Sequence, residues 1–183
     1  MSETKLKVKN LLEKLGNSGK KAVLDIGCGK VKRGTIGLDH ISGENVDIVS
    51  DFGKEMIFPD DSLDGIVMYH SLEHFTDPVA VLKECQRVLK KGGEIDIKVP
   101  HHSNVSAYQI HHKSYWNYYS LDPLVSEGNK SNEQEKLFTV IKKELNLTKF
   151  KFLNSFFSKN PFLYETYLYR IFPCYEIRFI LRK

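Results

Sequence analysis

Val23-Leu24-Asp25-Ile26-Gly27-Cys28-Gly29 is the stretch on which the reading of this chain turns. A short run of apolar residues bounded by glycine reads as a strand buried on both faces, the pattern of a parallel sheet. The Gly-x-Gly that follows lets backbone approach a ligand closely, because glycine has no Cβ in the way. Asp25 then sits at the carboxyl end of the strand, the edge on which open α/β sheets bind their ligands.

Outward from this stretch the pattern repeats. Lys21–Ile26 is the first strand, Thr35–Leu38 a second ending at Asp39, Val46–Val49 a short third ending near Asp51, and Leu63–Tyr69 a mostly apolar fourth. Asp77 is placed to cap a helix that begins with Pro78. Val81, Leu82, Cys85, Val88 and Leu89 form its apolar face, and Lys90-Lys91 followed by Gly92-Gly93 read as its end. Glu94–Val99 is a fifth strand, closed by Pro100. A helix over Thr4–Leu15 precedes all of these. Beyond Pro100, Ser103–Tyr119 reads as a polar and aromatic lid and Ser126–Glu135 as a surface loop. Leu137–Leu147 reads as a strand that could run on to Phe152, Pro161–Phe172 as a helix with an aromatic face, and Tyr175–Leu181 as an alternating closing strand. This order predicts an α/β fold: a Rossmann-like, doubly wound, mostly parallel sheet with helices on both faces and an antiparallel closing strand. The first crossover, Gly27 to Gly34, is too short for the dozen or so residues a helical connection takes, so a loop or a single turn is expected there.

The polar residues fall in step with the strand ends. Asp25, Asp39-His40, Asp51, His70 with Glu73-His74, and His101-His102 would all emerge on one rim, bringing five of the seven histidines there. Rim loops are polar in any case, which is the plainer explanation of some of them. A carboxylate at the end of the second strand suits the two hydroxyls of a ribose, and Asp39 is that candidate. Lys32 stands where a dinucleotide fingerprint has its third glycine, the crossover has no room for the helix, and no Gly-Lys-Ser/Thr is present. The pocket therefore reads as one for adenosine without a pyrophosphate.

These segments resemble the class I S-adenosylmethionine-dependent methyltransferases, type 11-like: residues 23–29, Gly37-Leu38-Asp39, Asp51-Phe52, Ile57–Asp64, Ser71-Leu72-Glu73-His74-Phe75 and Arg87–Gly93, in order across about residues 20–100. The resemblance implies S-adenosyl-L-methionine as cofactor. It implies that the backbone of Gly27, Cys28 and Gly29 passes under the methionine part and that Asp25 orients its amino group. Asp39, beside His40, would hold the ribose, Asp51 would meet the adenine with Phe52 on or near the ring, and His70 would lie near the transferred methyl. Asp51 could equally be a turn cap and Phe52 core. His70 and His101 are the candidate bases for a hydroxyl or amine acceptor, with His74 and His102 behind them. The whole of 1–183 is expected to be one domain, 20–100 the cofactor-binding core and 101–183 the lid and acceptor side.

Composition narrows the rest. With 183 residues the chain is long enough for one sizeable core. Cys28, Cys85 and Cys174 form no Cys-x-x-Cys pair, which speaks against a disulfide framework and for a reducing, cytoplasmic setting. No run has the length of a membrane span. Residues 1–135 carry a net charge of −3 and residues 136–183 a net +7, together the +4 of the chain. The basic, aromatic carboxyl-terminal part raises RNA as an alternative acceptor, and a non-catalytic cofactor-binding interaction module is a second. The favoured acceptor is a small molecule or a saccharide-linked compound, and the aromatic residues Tyr108, Tyr115, Trp116, Tyr118, Tyr119, Phe162, Tyr164 and Tyr167 would suit a flat or apolar one. No metal is expected: neighbouring histidines on a strand point opposite ways, so His101-His102 and His111-His112 would each give one ligand at most.

Overall fold

A computed structural model describes residues 2–54, 57–126, 136–147 and 151–183. Eight strands form one sheet in the order β3-β2-β1-β4-β5-β8-β7-β6. They are β1 (Val23–Ile26), β2 (Ile36–Asp39), β3 (Ile48–Val49), β4 (Leu63–Tyr69), β5 (Leu89–Pro100), β6 (Val125–Ser126), β7 (Phe138–Leu147) and β8 (Cys174–Arg182). Strands β1 to β5 are mutually parallel, and β8 runs antiparallel between β5 and β7. This is the mostly parallel, Rossmann-like α/β architecture that the strand pattern predicts, with its antiparallel closing strand.

The chain leaves β1 for β2 on one side and β4 for β5 on the other. Strand order therefore reverses between β1 and β4, the position at which such sheets open a crevice for ligands. No helix lies between β1 and β2. Instead the Asp25 carboxylate accepts from the Arg33 N–H at 2.6 Å and fixes the short loop onto the end of β1.

Two helices flank the central strands. α1 (Glu3–Asn17) is capped by Ser2, whose hydroxyl accepts from the Lys5 N–H. α2 (Pro78–Val88) is capped by Asp77, which accepts from the Ala80 N–H at 2.9 Å. Val81, Leu82, Cys85 and Val88 of α2 are each at most 1% exposed, and burying a side chain of this size contributes roughly 1.5–3 kcal/mol. α2 ends at Val88, earlier than its Lys-Lys-Gly-Gly tail suggests. Residues Lys90–Gly93 are a bulge within β5, opposite the register shift between Leu63 and Gly65, with Gly92 at φ +81°. Lys90 there reaches across to Asp64 at 2.7 Å.

In the carboxyl-terminal part, Lys151–Leu153 is a 3₁₀ turn, so Phe152 belongs to no strand, and the segment between Leu147 and Lys151 lies outside the described residues. The expected loop over Ser126–Glu135 is outside them as well, beyond Ser126. A short α3 (Asn154–Lys159), not marked in the sequence, buries Phe157. α4 (Pro161–Leu163) runs on as a π-helix over Tyr164–Leu168. All three cysteines are buried and free. Among the described residues no helix is long and apolar enough to cross a membrane.

Candidate functional site

The crevice between β1 and β4 gathers the sequence-marked residues of both strand ends. Gly27 turns at φ +74°, and a Cβ there would stand 2.5 Å from the Ser71 Cβ. The two strand ends thus meet backbone against side chain, in a space only glycine leaves. Asp25 Oδ1 and Ser71 Oγ are buried and make no hydrogen bond. Buried polar atoms normally have partners, so both are ready to accept or donate to a ligand. Burial pushes the Asp25 carboxyl upward, against the N–H bonds from Arg33 and Gly34.

Asp39 stands at the end of β2. Its Oδ2 accepts from the Gly29 N–H at 3.0 Å, and its Oδ1 from the Ile41 N–H at 3.1 Å. The glycine loop and the carboxylate therefore hold each other in place. His40 Nδ1 lies 3.1 Å from Oδ1, on a side chain 75% exposed. A carboxylate offers about four accepting positions. One remains on Oδ2, and a second opens on Oδ1 when His40 turns into solvent, which fits a pair of hydroxyls. Cys28 presents only its backbone to this edge, since its buried Sγ contacts the Asn45 carbonyl at 3.6 Å. Asp51 caps its own turn through the Gly53 N–H and pairs with Lys54 at 2.8 Å. Phe52 is core: it is 2% exposed and lies 6.5 Å from the Phe58 ring.

His70 ends β4 at φ +55°, a left-handed backbone that is uncommon outside glycine and marks strain held by its surroundings. Its Nε2 is 2.9 Å from Glu176 on β8, and its Nδ1 is 3.7 Å from Glu73. The hydrogen bond with Glu176, then the charge of Glu73, push its pKa up to about 9. Glu176 also binds Lys98 at 2.9 Å. Burial raises the Glu176 carboxyl, but the bonds from His70 and Lys98 outweigh it and bring it down to about 2. His70 is therefore an imidazolium at neutral pH, a hydrogen-bond donor and a positive charge, and its geometry does not suit the base that its rim position suggests.

His101 is fully buried. Its Nδ1 accepts from the Ser103 N–H at 3.0 Å, which leaves the proton on Nε2 for Glu165 at 3.1 Å. Burial keeps this ring neutral. Both nitrogens are engaged inside the protein, so His101 is not presented to an acceptor either. His102 Nε2 meets the same Glu165 at 3.3 Å. The two neighbours converge because β5 ends at Pro100, so the alternation expected of a strand no longer holds. Burial raises the Glu165 carboxyl, but bonds from His101, His102 and the Tyr118 N–H bring it down to about 2.

The five rim histidines form separate groups. His70 and His101 are linked through Tyr175, by a ring contact of 5.9 Å and a backbone bond of 3.4 Å. His74 pairs with His112 at 4.8 Å between ring centres, and His40 stays with Asp39. Of the aromatic lid residues, Trp116 and Tyr164 are buried, while Tyr108, Tyr115, Tyr119, Phe162 and Tyr167 are exposed.

Sequence reasoning missed Glu176, Glu165 and Ser71. Glu165 left a trace, as the lone carboxylate of the aromatic stretch 161–172. Glu176 left a fainter one, an acid opening the apolar closing strand.

Comparison with known proteins bears on the fold. Residues 37–97 match the family described as a methyltransferase domain. The chain is similar to the ubiquinone/menaquinone biosynthesis C-methyltransferase UbiE of Hahella chejuensis, with 35% identity over 44% of this chain and 33% of that protein. It is similar to the demethylmenaquinone methyltransferase of Listeria welshimeri, with 27% identity over 59% of this chain and 46% of that protein. The chain thus spans a third to a half of the length of these curated relatives. The crystal structure of a SAM dependent methyltransferase from Archaeoglobus fulgidus superposes with a TM-score of 0.60 at 20% identity, covering 96% of this chain and 94% of that one. The resemblance to the class I S-adenosylmethionine-dependent methyltransferases is borne out, and the fold is theirs.

Proposed function

We propose that this chain is an S-adenosylmethionine-dependent methyltransferase acting on a small-molecule acceptor. The observation that carries the reading is the switch-point crevice. There Gly27 packs on Ser71, Asp25 Oδ1 and Ser71 Oγ are buried without partners, and Asp39 holds accepting positions beside the Gly29 N–H. These groups fit the amino and hydroxyl groups of the cofactor. When bound, S-adenosylmethionine supplies a methyl carried on a sulfonium and already activated for displacement.

The chain's own residues then bind, orient and exclude water. Asp25 and the backbone of Gly27–Gly29 take the methionine part, Asp39 with His40 at its side the ribose, and Asp51 the adenine edge. His70 faces the reacting end as a cation held by Glu176 and Glu73, and sets positive charge there. Residues 101–183 form the acceptor side. The exposed Tyr108 and Tyr115 rings, 5.2 Å apart, favour a flat, apolar ring as acceptor over a saccharide-linked one. The similar methyltransferases of Hahella chejuensis and Listeria welshimeri are named for ubiquinone/menaquinone and for demethylmenaquinone, which supports the same chemistry.

Calorimetric titration with S-adenosylmethionine and S-adenosylhomocysteine tests the reading. Micromolar binding by the wild type, weakened at least tenfold in Asp39→Ala, is expected. Folded wild type that binds neither compound refutes it and leaves a non-catalytic interaction module.

A further inference from the structure

A second constellation adjoins the crevice, in the turn that follows Ser71. Glu73, in the 3₁₀ turn Leu72–His74 after β4, is 1% exposed, and neither carboxylate oxygen makes a hydrogen bond. His70 lies 3.7 Å away on one side. On the other side are His74 and His112, and one donor atom of each of the three lies within 4.8 Å of the other two.

The two imidazoles are oriented in the same way. His74 Nδ1 lies 3.3 Å from the His111 carbonyl, and His112 Nδ1 lies 3.0 Å from the Ala107 carbonyl. A carbonyl only accepts, so each Nδ1 carries the proton and each Nε2 keeps a free lone pair. Fixing one ring nitrogen on a backbone carbonyl to present the other is how metal-ligating histidines are held. The segments are also tied through the main chain, where the Lys113 N–H donates to the Glu73 carbonyl at 2.7 Å. His74 is exposed and His112 half-buried, so the outer side of the group faces solvent.

We infer that Glu73, His74 and His112 form a binding site for a divalent first-row transition metal of the zinc class, with two imidazoles and one carboxylate as ligands and a solvent-facing position beyond them. Two histidines and a glutamate are a donor set that zinc takes in sites with an open fourth position. Ligand bonds of about 2.0–2.2 Å place tetrahedral donors roughly 3.3 Å apart. The donor atoms lie within 4.8 Å of one another, so binding would draw them together by up to about 1.5 Å. The inference does not rest on the cofactor reading, although Glu73 also lies 3.7 Å from His70 at the crevice.

The neighbouring His101–His102–Glu165 group is the internal control. Glu165 is bonded there by both rings and by the Tyr118 N–H, and His101 Nδ1 is taken by Ser103. The Glu165 carboxylate and both nitrogens of His101 thus have internal partners, so this group is already engaged in a hydrogen-bond network.

The test is titration of the untagged full chain with cobalt(II), followed by its visible absorption, and with zinc(II) by calorimetry. One equivalent with a tetrahedral cobalt spectrum, displaced by zinc, is expected. Loss of a ligand in His112→Ala or His74→Ala is expected to weaken binding by more than the roughly 10–100-fold that a changed outer partner costs, with His102→Ala unchanged. The exposed His74 gives a variant that folds should His112→Ala not do so. No binding at micromolar zinc overturns the inference, as does binding that survives both substitutions.

Discussion

His70 is forced into a left-handed backbone at the mouth of the crevice and clamped there by carboxylates of two different segments. A histidine so placed is easily taken for a base, yet its proton is held by the same contacts that position it. Its imidazole is expected to titrate near pH 9, moving toward its ordinary value near 6.5 in Glu176→Gln, as followed by NMR of the ring protons. Methyl transfer should then hold its rate between pH 7 and 8. A rate rising tenfold per pH unit across that range would restore the base role. Gly27 makes a second residue-scale case. Gly27→Ala combines a left-handed φ with a Cβ 2.5 Å from that of Ser71, whereas Gly29→Ala meets no atom within 4 Å. The expected result is a loss of about 1–3 kcal/mol for Gly27→Ala and no more than the lower end for Gly29→Ala. Cofactor binding should be abolished in the first. Urea unfolding and calorimetry measure both, and equal effects would remove Ser71 from the argument.

At the scale of elements, the aromatic helical stretch 161–168 is fastened to the end of β5 by Glu165 and Tyr164. Glu165 accepts from His101, His102 and the Tyr118 N–H, while Tyr164 meets His101 edge-on at 5.6 Å between ring centres and donates to the Phe172 carbonyl. Glu165→Ala leaves a buried ring N–H and a backbone N–H without acceptors. It is expected to cost about 2–5 kcal/mol of stability, with Glu165→Gln milder. A loss below about 0.5 kcal/mol in denaturant unfolding would show the network to be incidental. This element also shows what a sequence can carry. β4 and the start of α2 were legible because strand periodicity, an Asp cap and Pro at the first turn are local signals. The end of α2 was not, because Lys-Lys-Gly-Gly carries a helix-stop pattern while its conformation is set by Asp64, 26 residues away from Lys90. The end of β2 announced Asp39, whereas the partners of His70 and His101 come from β8 and from a π-helix whose pairing leaves no periodic trace.

Over the whole molecule, the uneven charge acquires a structural meaning. The basic carboxyl-terminal strands face carboxylates of the amino-terminal part: Arg178 with Asp96, Arg182 with Glu94, Lys183 with Asp61 and Lys143 with Asp122. These four cations tie the carboxyl-terminal part to the rest of the molecule. RNA binding is accordingly expected to be weak, without the roughly 10³–10⁵-fold loss between 50 and 200 mM salt that six to ten phosphate contacts give. A filter-binding series over salt checks this, and a steep slope would return RNA to contention.

The buried titrating groups together also set a pH window for stability. His70 has a folded pKa of about 9, raised from 6.5, so its contribution is complete below pH 6.5 and is lost as pH rises through 9. His101 is shifted the other way by burial, so its contribution is complete above 6.5 and falls as acid protonates it. Glu165 and Glu176, both lowered to about 2 from 4.5, contribute fully above pH 4.5 and lose that contribution as pH falls toward 2. The signs place the stability maximum near pH 6.5, with a gentle alkaline slope and a steeper acid one. Thermal unfolding midpoints measured from about pH 2 to 10 test this. In Glu176→Gln the alkaline slope should flatten, because His70 loses the partner that raises it most, while the His101 slope stays. An alkaline slope unchanged in that variant would mean that the His70–Glu176 pair does not bind its proton as the geometry requires.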